Sequence, residues 1–194
     1  MKITEKWLKE KNVCSEGLEW FLIQDETDPI KIIENFIKTK RYLDWANWLI
    51  VRIMSYKQYV SYAVYAAEQV LHIFEDKFPD DDRPRKAIEA AKKCVEDPSE
   101  ENRKIAANAA NAAANAAVDA AYSAYAAADA AAAGFSAHNV AFAARFAAAG
   151  FADYAADAAG FATARSVFNA DAASCRKMQI KILRYGLQLV KGAK

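Results

Sequence analysis

The chain has 194 residues, 54% of them hydrophobic and 26% charged, with a net charge of +1. That length suits one domain with a sizeable core, and the near-neutral balance argues against a global attraction to nucleic acid or to an anionic membrane. Three widely separated cysteines, Cys14, Cys94 and Cys175, form no CxxC pair, which argues against a disulfide framework and for a reducing compartment.

The opening, Met1 to Lys6, has no apolar run of the signal-peptide kind, so a cytoplasmic protein is expected. Asp28-Pro29 reads as an N-cap with proline in the first turn, starting a helix over Ile30 to Ile37. Tyr42 to Val51 is apolar around most of its circumference and predicts a buried helix. Ser55-Tyr56-Lys57-Gln58 fits a capping box. The helix it opens should run to about Phe78 and present Val60, Ala63, Val64, Ala67, Val70, Leu71 and Phe74. On it, Tyr56, Tyr59, Tyr62 and Tyr65 recur every third residue. They wind around the helix, which suits core positions with hydroxyls bonded at the edge. Asp82 should cap the next helix, Arg83 to Val95, with Pro84 in its first turn. Asp97-Pro98-Ser99 is a linker, and Ser99 should cap the helix after it.

From Ile105 to Ala173 alanine dominates. Alanine has the highest helix propensity, and its single methyl lets helices approach closely. A helix from about Glu100 to Ala133 would be about 50 Å long at about 1.5 Å per residue. Asn108, Asn111, Asn115 and Asp119 form a narrow polar stripe on it, best read as its wet side. Gly134 followed by Phe135 and Ser136 predicts a turn; Gly150 and Gly160 are turns or sites of close backbone approach. Phe135 and Phe142, and Tyr154, Phe161 and Phe168, are seven apart and read as knobs between helices. A last helix, about Asp171 to Val190, should be amphipathic through Cys175, Met178, Ile182, Tyr185 and Leu189. The fold class expected is all-α, a multi-helix bundle with long, closely packed Ala-rich helices. It forms one domain over 1–194, with an aromatic-rich, charged half at 1–98 and an Ala-rich half at 99–194.

No residue set compels a chemistry. The two histidines, His72 and His138, have no ligand partners at metal spacing, and there is no GxGxxG, P-loop, HExxH or GxSxG. Asp80, Asp81 and Asp82 could bind a divalent cation, but their spacing matches no calcium loop and two arginines come directly after them. A loop whose acids pair with Arg83, Arg85 or Lys86 explains them more simply. Arg176, Lys177, Lys181 and Arg184 could touch phosphates, and a solvated face near a helix C-terminus explains them equally well. The expectation is no enzyme, no cofactor and no metal.

Three segments carry a likeness: YLDWANWL at Tyr42 to Leu49, YAAEQVLHIF at Tyr65 to Phe74, and PDDDRPRKAIEAA at Pro79 to Ala91. With the Cys14 to Phe21 opening and Arg176-Lys177-Met178-Gln179-Ile180, the chain resembles the Imm5-like immunity proteins of bacteria and phage or prophage sequences. The resemblance implies a cytosolic helical protein that binds and neutralises a toxin by stoichiometric association, and it brings no active-site residues. A phage or mobile-element inhibitor of a host defence factor makes the same demands on the sequence. A structural protein that self-associates through its alanine faces is a rival of another class. The partner expected is therefore a protein, with neither nucleic acid nor membrane, and a homo-oligomer remains open. The contact points expected are Asp80, Asp81, Asp82, Arg83 and Arg85, together with exposed aromatics at Trp20 and Trp45.

Overall fold

The computed structural model describes residues 1–123, 140, 141, 143, 144 and 172–192. Among them are eight helices and no strand: α1 Glu5–Glu10, α2 Ser15–Leu22, α3 Pro29–Thr39, α4 Leu43–Arg52, α5 Tyr56–Glu75, α6 Arg83–Glu96, α7 Glu100–Ser123 and α8 Ala172–Lys191. The all-α expectation holds. The turn expected at Gly134, the Gly150 and Gly160 sites, the aromatics from Phe135 to Phe168, His138 and the continuation of α7 beyond Ser123 lie outside the described residues.

Local chemistry sets most helix starts. Thr4 caps α1 by accepting from the Trp7 amide at 3.2 Å. Asp28 Oδ1 accepts from the Ile30 amide at 2.9 Å, with Pro29 in the first turn of α3. The capping box at α5 is present, Gln58 Oε1 accepting from the Ser55 amide at 2.8 Å. Ser99 Oγ accepts from the Asn102 amide at the start of α7. Two expectations need correction here. Asp82 stands at the N-cap of α6, but its carboxylate reaches forward to Lys86 Nζ at 2.9 Å, and it is Asp81 Oδ1 that accepts from the Arg83 amide. Helix α5 ends at Glu75 rather than Phe78, because the Lys77 and Phe78 amides both turn back onto the Phe74 carbonyl. The short helices α1 and α2 add to the elements expected from the sequence.

Helix α5 runs through the middle of the packing, with α6 on one side and α8 on another. Ten of its twenty residues are buried, from Tyr59 to Phe74, which leaves a narrow wet stripe that carries Lys57, Glu68 and His72. Tyr59 and Tyr62 are core, while Tyr56 and Tyr65 are half-buried. The Tyr62 hydroxyl donates to Asn47 Oδ1 at 2.7 Å, and burial pushes its phenol far above the usual tyrosine range. Tyr65 stacks on Tyr185 of α8 with centroids 4.0 Å apart.

The alanine argument holds for α6 and α7, the most extensively packed pair. Ala87, Ala90, Ala91 and Cys94 of α6 are buried. So are Ala106, Ala110, Ala113, Ala116 and Ala117 of α7, a stripe spaced mostly by threes and fours. On the opposite face Asn108, Asn111, Asn115 and Asp119, all four exposed, belong to the water-facing side that a bundle helix requires. Val140, Ala141, Ala143 and Ala144 are buried in the same core cluster as α3, α4 and α5. Ala116 and Ala117 make a satellite cluster with Phe74 and the half-buried Phe78.

On α8 the buried line is Ile182, Leu183, Gly186 and Leu187, whereas Cys175, Met178, Tyr185 and Leu189 lie only half-buried at its rim. Of the five positions expected to form the apolar stripe, Ile182 alone is fully buried. The centre of the line is a glycine, which contributes nothing to an apolar pattern. A Cβ at Gly186 would stand 2.7 Å from Ile50 Cδ1 and 2.8 Å from Tyr62 Cε2. Its missing side chain is what lets α8 lie this close to α4 and α5.

Candidate functional site

The expected contact residues fall into two separate groups. The first is the turn between α5 and α6. Arg83 forks onto Asp81, Nε to Oδ1 at 2.9 Å and Nη2 to Oδ2 at 2.7 Å, and the same Nη2 reaches Asp119 Oδ2 on α7 at 2.7 Å. Hydrogen bonds from the Arg83 side chain hold the Asp81 carboxyl below the usual carboxylate range, and Asp81 and Asp119 in turn hold the guanidinium charged. Arg85 pairs with Glu75 at 2.6 Å. Asp82 is committed to Lys86, and Asp80 is exposed. Chemically this is a strut that fixes the α5–α6 turn to α7. Among the described residues no cluster of three or more His, Cys, Asp or Glu could hold a metal ion.

The second group surrounds Trp20 and Trp45. The sequence suggests that both are exposed, and both are half-buried. The reason is mutual cover: the Trp20 ring lies 4.8 Å from Phe36 and 6.3 Å from Trp45, and Trp45 stacks on Tyr42 at 4.6 Å. Tyr42 is the ring left 40% exposed. It is also strained, with φ of 55°, as is Lys40 two residues before it. The aromatic group is built on α2, α3 and α4, and the ionic group on the α5–α6 turn and α7.

Trp20 and Trp45 line a pocket of about 300 Å³ that was not expected from the sequence. Gly17, Trp20 and Phe21 of α2 face it at i, i+3, i+4 spacing; Ile32 and Phe36 of α3 and Trp45, Trp48 and Leu49 of α4 complete it. Ile3, Leu8 and Val13 close the N-terminal side. Among the described residues Asp44 is the one charged member of the lining. A signal was present: all four tryptophans, Trp7, Trp20, Trp45 and Trp48, fall within the first quarter of the chain.

The remaining candidates stand apart. His72 is exposed on α5. Cys94 is buried, and burial pushes its thiol up, away from the nucleophilic thiolate. Arg176, Lys177, Lys181 and Arg184 are exposed along α8. No helix among the described residues is long and apolar enough to cross a membrane.

No curated protein and no solved structure matches the chain. Residues 50–184, the stretch from the last turn of α4 into α8, match the family model described as Imm-5 like putative immunity protein, and the chain belongs to that family.

Proposed function

We propose that this chain is a non-enzymatic cytoplasmic protein that binds a protein toxin and neutralises it by stoichiometric association. Membership of the immunity-protein family over residues 50–184 carries the reading. The ionic chemistry supports it: the acids and arginines of the α5–α6 turn are engaged with one another and with α7, which suits a shaped recognition surface better than a proton-transfer site. We place the contacts on Asp80, Asp81, Asp82, Arg83 and Arg85 and on the ground around Trp20 and Trp45. A core cluster that includes residues from Ile3 to Leu187 supports treating the chain as one binding unit.

The test is co-expression with candidate toxins, beginning with the products of the genes that neighbour its own. Growth should be rescued, and size-exclusion chromatography with light scattering should show a complex of fixed stoichiometry. Rescue with no complex, or recovery of this chain alone from its native host at every stage, overturns the proposal.

A further inference from the structure

The aromatic pocket lies wholly within residues 3–49, ahead of the family match that begins at residue 50. Its chemistry is narrow. Trp20, Phe36 and Trp45 form one continuous wall, with centroids between 4.8 and 6.5 Å apart, and Trp48 adds a third indole. A volume of about 300 Å³ is at the small end for ligand pockets. The polar members of the lining are few: Asn12, Cys14 and the Asp44 carboxylate. Among the described residues no lysine, arginine or histidine lines it.

Two features set the charge of the occupant. Asp44 supplies the formal charge of the lining, and it is negative; Gln179 Nε2 donates to its Oδ1 at 3.0 Å, which orients the carboxylate without neutralising it. Two nearby rings, Trp48 of the lining and Tyr42 outside it, are already paired with arginines, so the ligand's charge falls to Trp20, Phe36, Trp45 and Asp44. The Arg52 guanidinium sits 4.0 Å from the Trp48 ring centre and the Arg41 guanidinium 5.5 Å from that of Tyr42. Ring quadrupoles attract a cation within about 6 Å of their centroids, and a group seated against three rings 4.8 to 6.5 Å apart meets several at once.

We propose that this pocket binds a small free organic cation, an aryl- or alkyl-ammonium whose apolar body fills the aromatic wall and whose charged end faces Asp44. The pocket shares Trp20 and Trp45 with the proposed toxin contacts, but binding of a small molecule to this chain alone is read without any toxin, so either proposal can fail while the other stands.

The probes are 2-phenylethylamine, 2-phenylethanol and 3-phenylpropanoate, titrated against the full-length ¹⁵N-labelled protein at pH 7. The four tryptophan indole N–H signals report directly. The signals of Trp20, Trp45 and Trp48 should shift together. The amine should bind about threefold tighter than the alcohol and about tenfold tighter than the carboxylate, as cation–π and ion-pair contributions at a partly exposed site imply. Asp44→Asn, a change at an exposed residue, should reduce the preference for the amine to the part the rings supply while leaving the alcohol unchanged. Cys14→Phe, which fills the lining from the α2 N-cap, should weaken all three. Equal affinity of the three probes, shifts confined to residues outside the pocket, or no saturable shift at millimolar amine overturns the proposal.

Discussion

Between α2 and α5 the interior is filled by rings and branched chains; between α6 and α7 it is filled by methyl groups. The difference shows that burial can be reached by opposite routes within one chain. In the first region each side chain is large and removes much apolar surface from water, so stability rests on a few residues. In the second each alanine contributes little, on the order of 0.8 kcal/mol per buried methyl group, and stability rests on how closely two backbones approach. The two regions should therefore fail in opposite directions, the first when a side chain is shortened and the second when one is lengthened.

The largest effect expected is on the large-side-chain side. Ile50→Ala removes a fully buried branched chain that touches the Gly186 crossing, and chemical denaturation should show a loss of about 3 kcal/mol. Ala110→Leu is the mirror test on the methyl side. Its position is fully buried on α7, and overpacking should cost about 2 kcal/mol; an unchanged urea midpoint would refute close nesting of α6 and α7. Gly186→Ala belongs to the same logic. It gains helix propensity but places a methyl against Ile50 and Tyr62, so a net loss of about 1 kcal/mol is expected in thermal unfolding.

The Arg83 strut gives a pH signature. Asp81 has its carboxyl lowered in the folded state, so its contribution is complete above about pH 4, the unfolded carboxylate range, and is lost as pH falls through the folded value. Arg83→Ala should make the acid side of the stability profile shallower, with an effect near neutral pH of about 1 kcal/mol or less. The smallest change expected is a gain. Asn115→Ala lies on the exposed face of α7, and the better helix former should add about 0.5 kcal/mol; a loss there would show that Asn115, like Asp119, is engaged.

Helix class, the starts of α3, α5, α6 and α7, and the alanine interface were legible because each rests on a local rule. Asp28-Pro29 and Ser55-Gln58 state a helix start within four residues. The stripe from Asn108 to Asp119 states which face of α7 is wet. What stayed hidden depends on distant neighbours. Trp20 and Trp45 looked available for contact because nothing in their own segments says that Trp20 and Phe36 meet Tyr42 and Trp45 from separate helices. The buried line of α8 was misplaced because its centre, Gly186, derives its meaning from Ile50 and Tyr62. The pocket needed several segments between Ile3 and Leu49 to converge, and no single segment describes a concavity.

Gln58 holds two places at once. Its carbonyl oxygen accepts from the Ser55 amide at the start of α5, and its amide nitrogen donates to the Leu189 carbonyl on α8 at 2.7 Å, 131 residues onward. Asp44 and Glu34 are tied to Gln179 and Lys191 of the same helix. During synthesis the ribosome delivers α3, α4 and α5 long before α8 emerges, so the seat around Ile50 and Tyr62 stays open to water and to chaperones until α8 arrives. Protection of the Tyr62 region in a nascent chain should therefore arrive late and all at once.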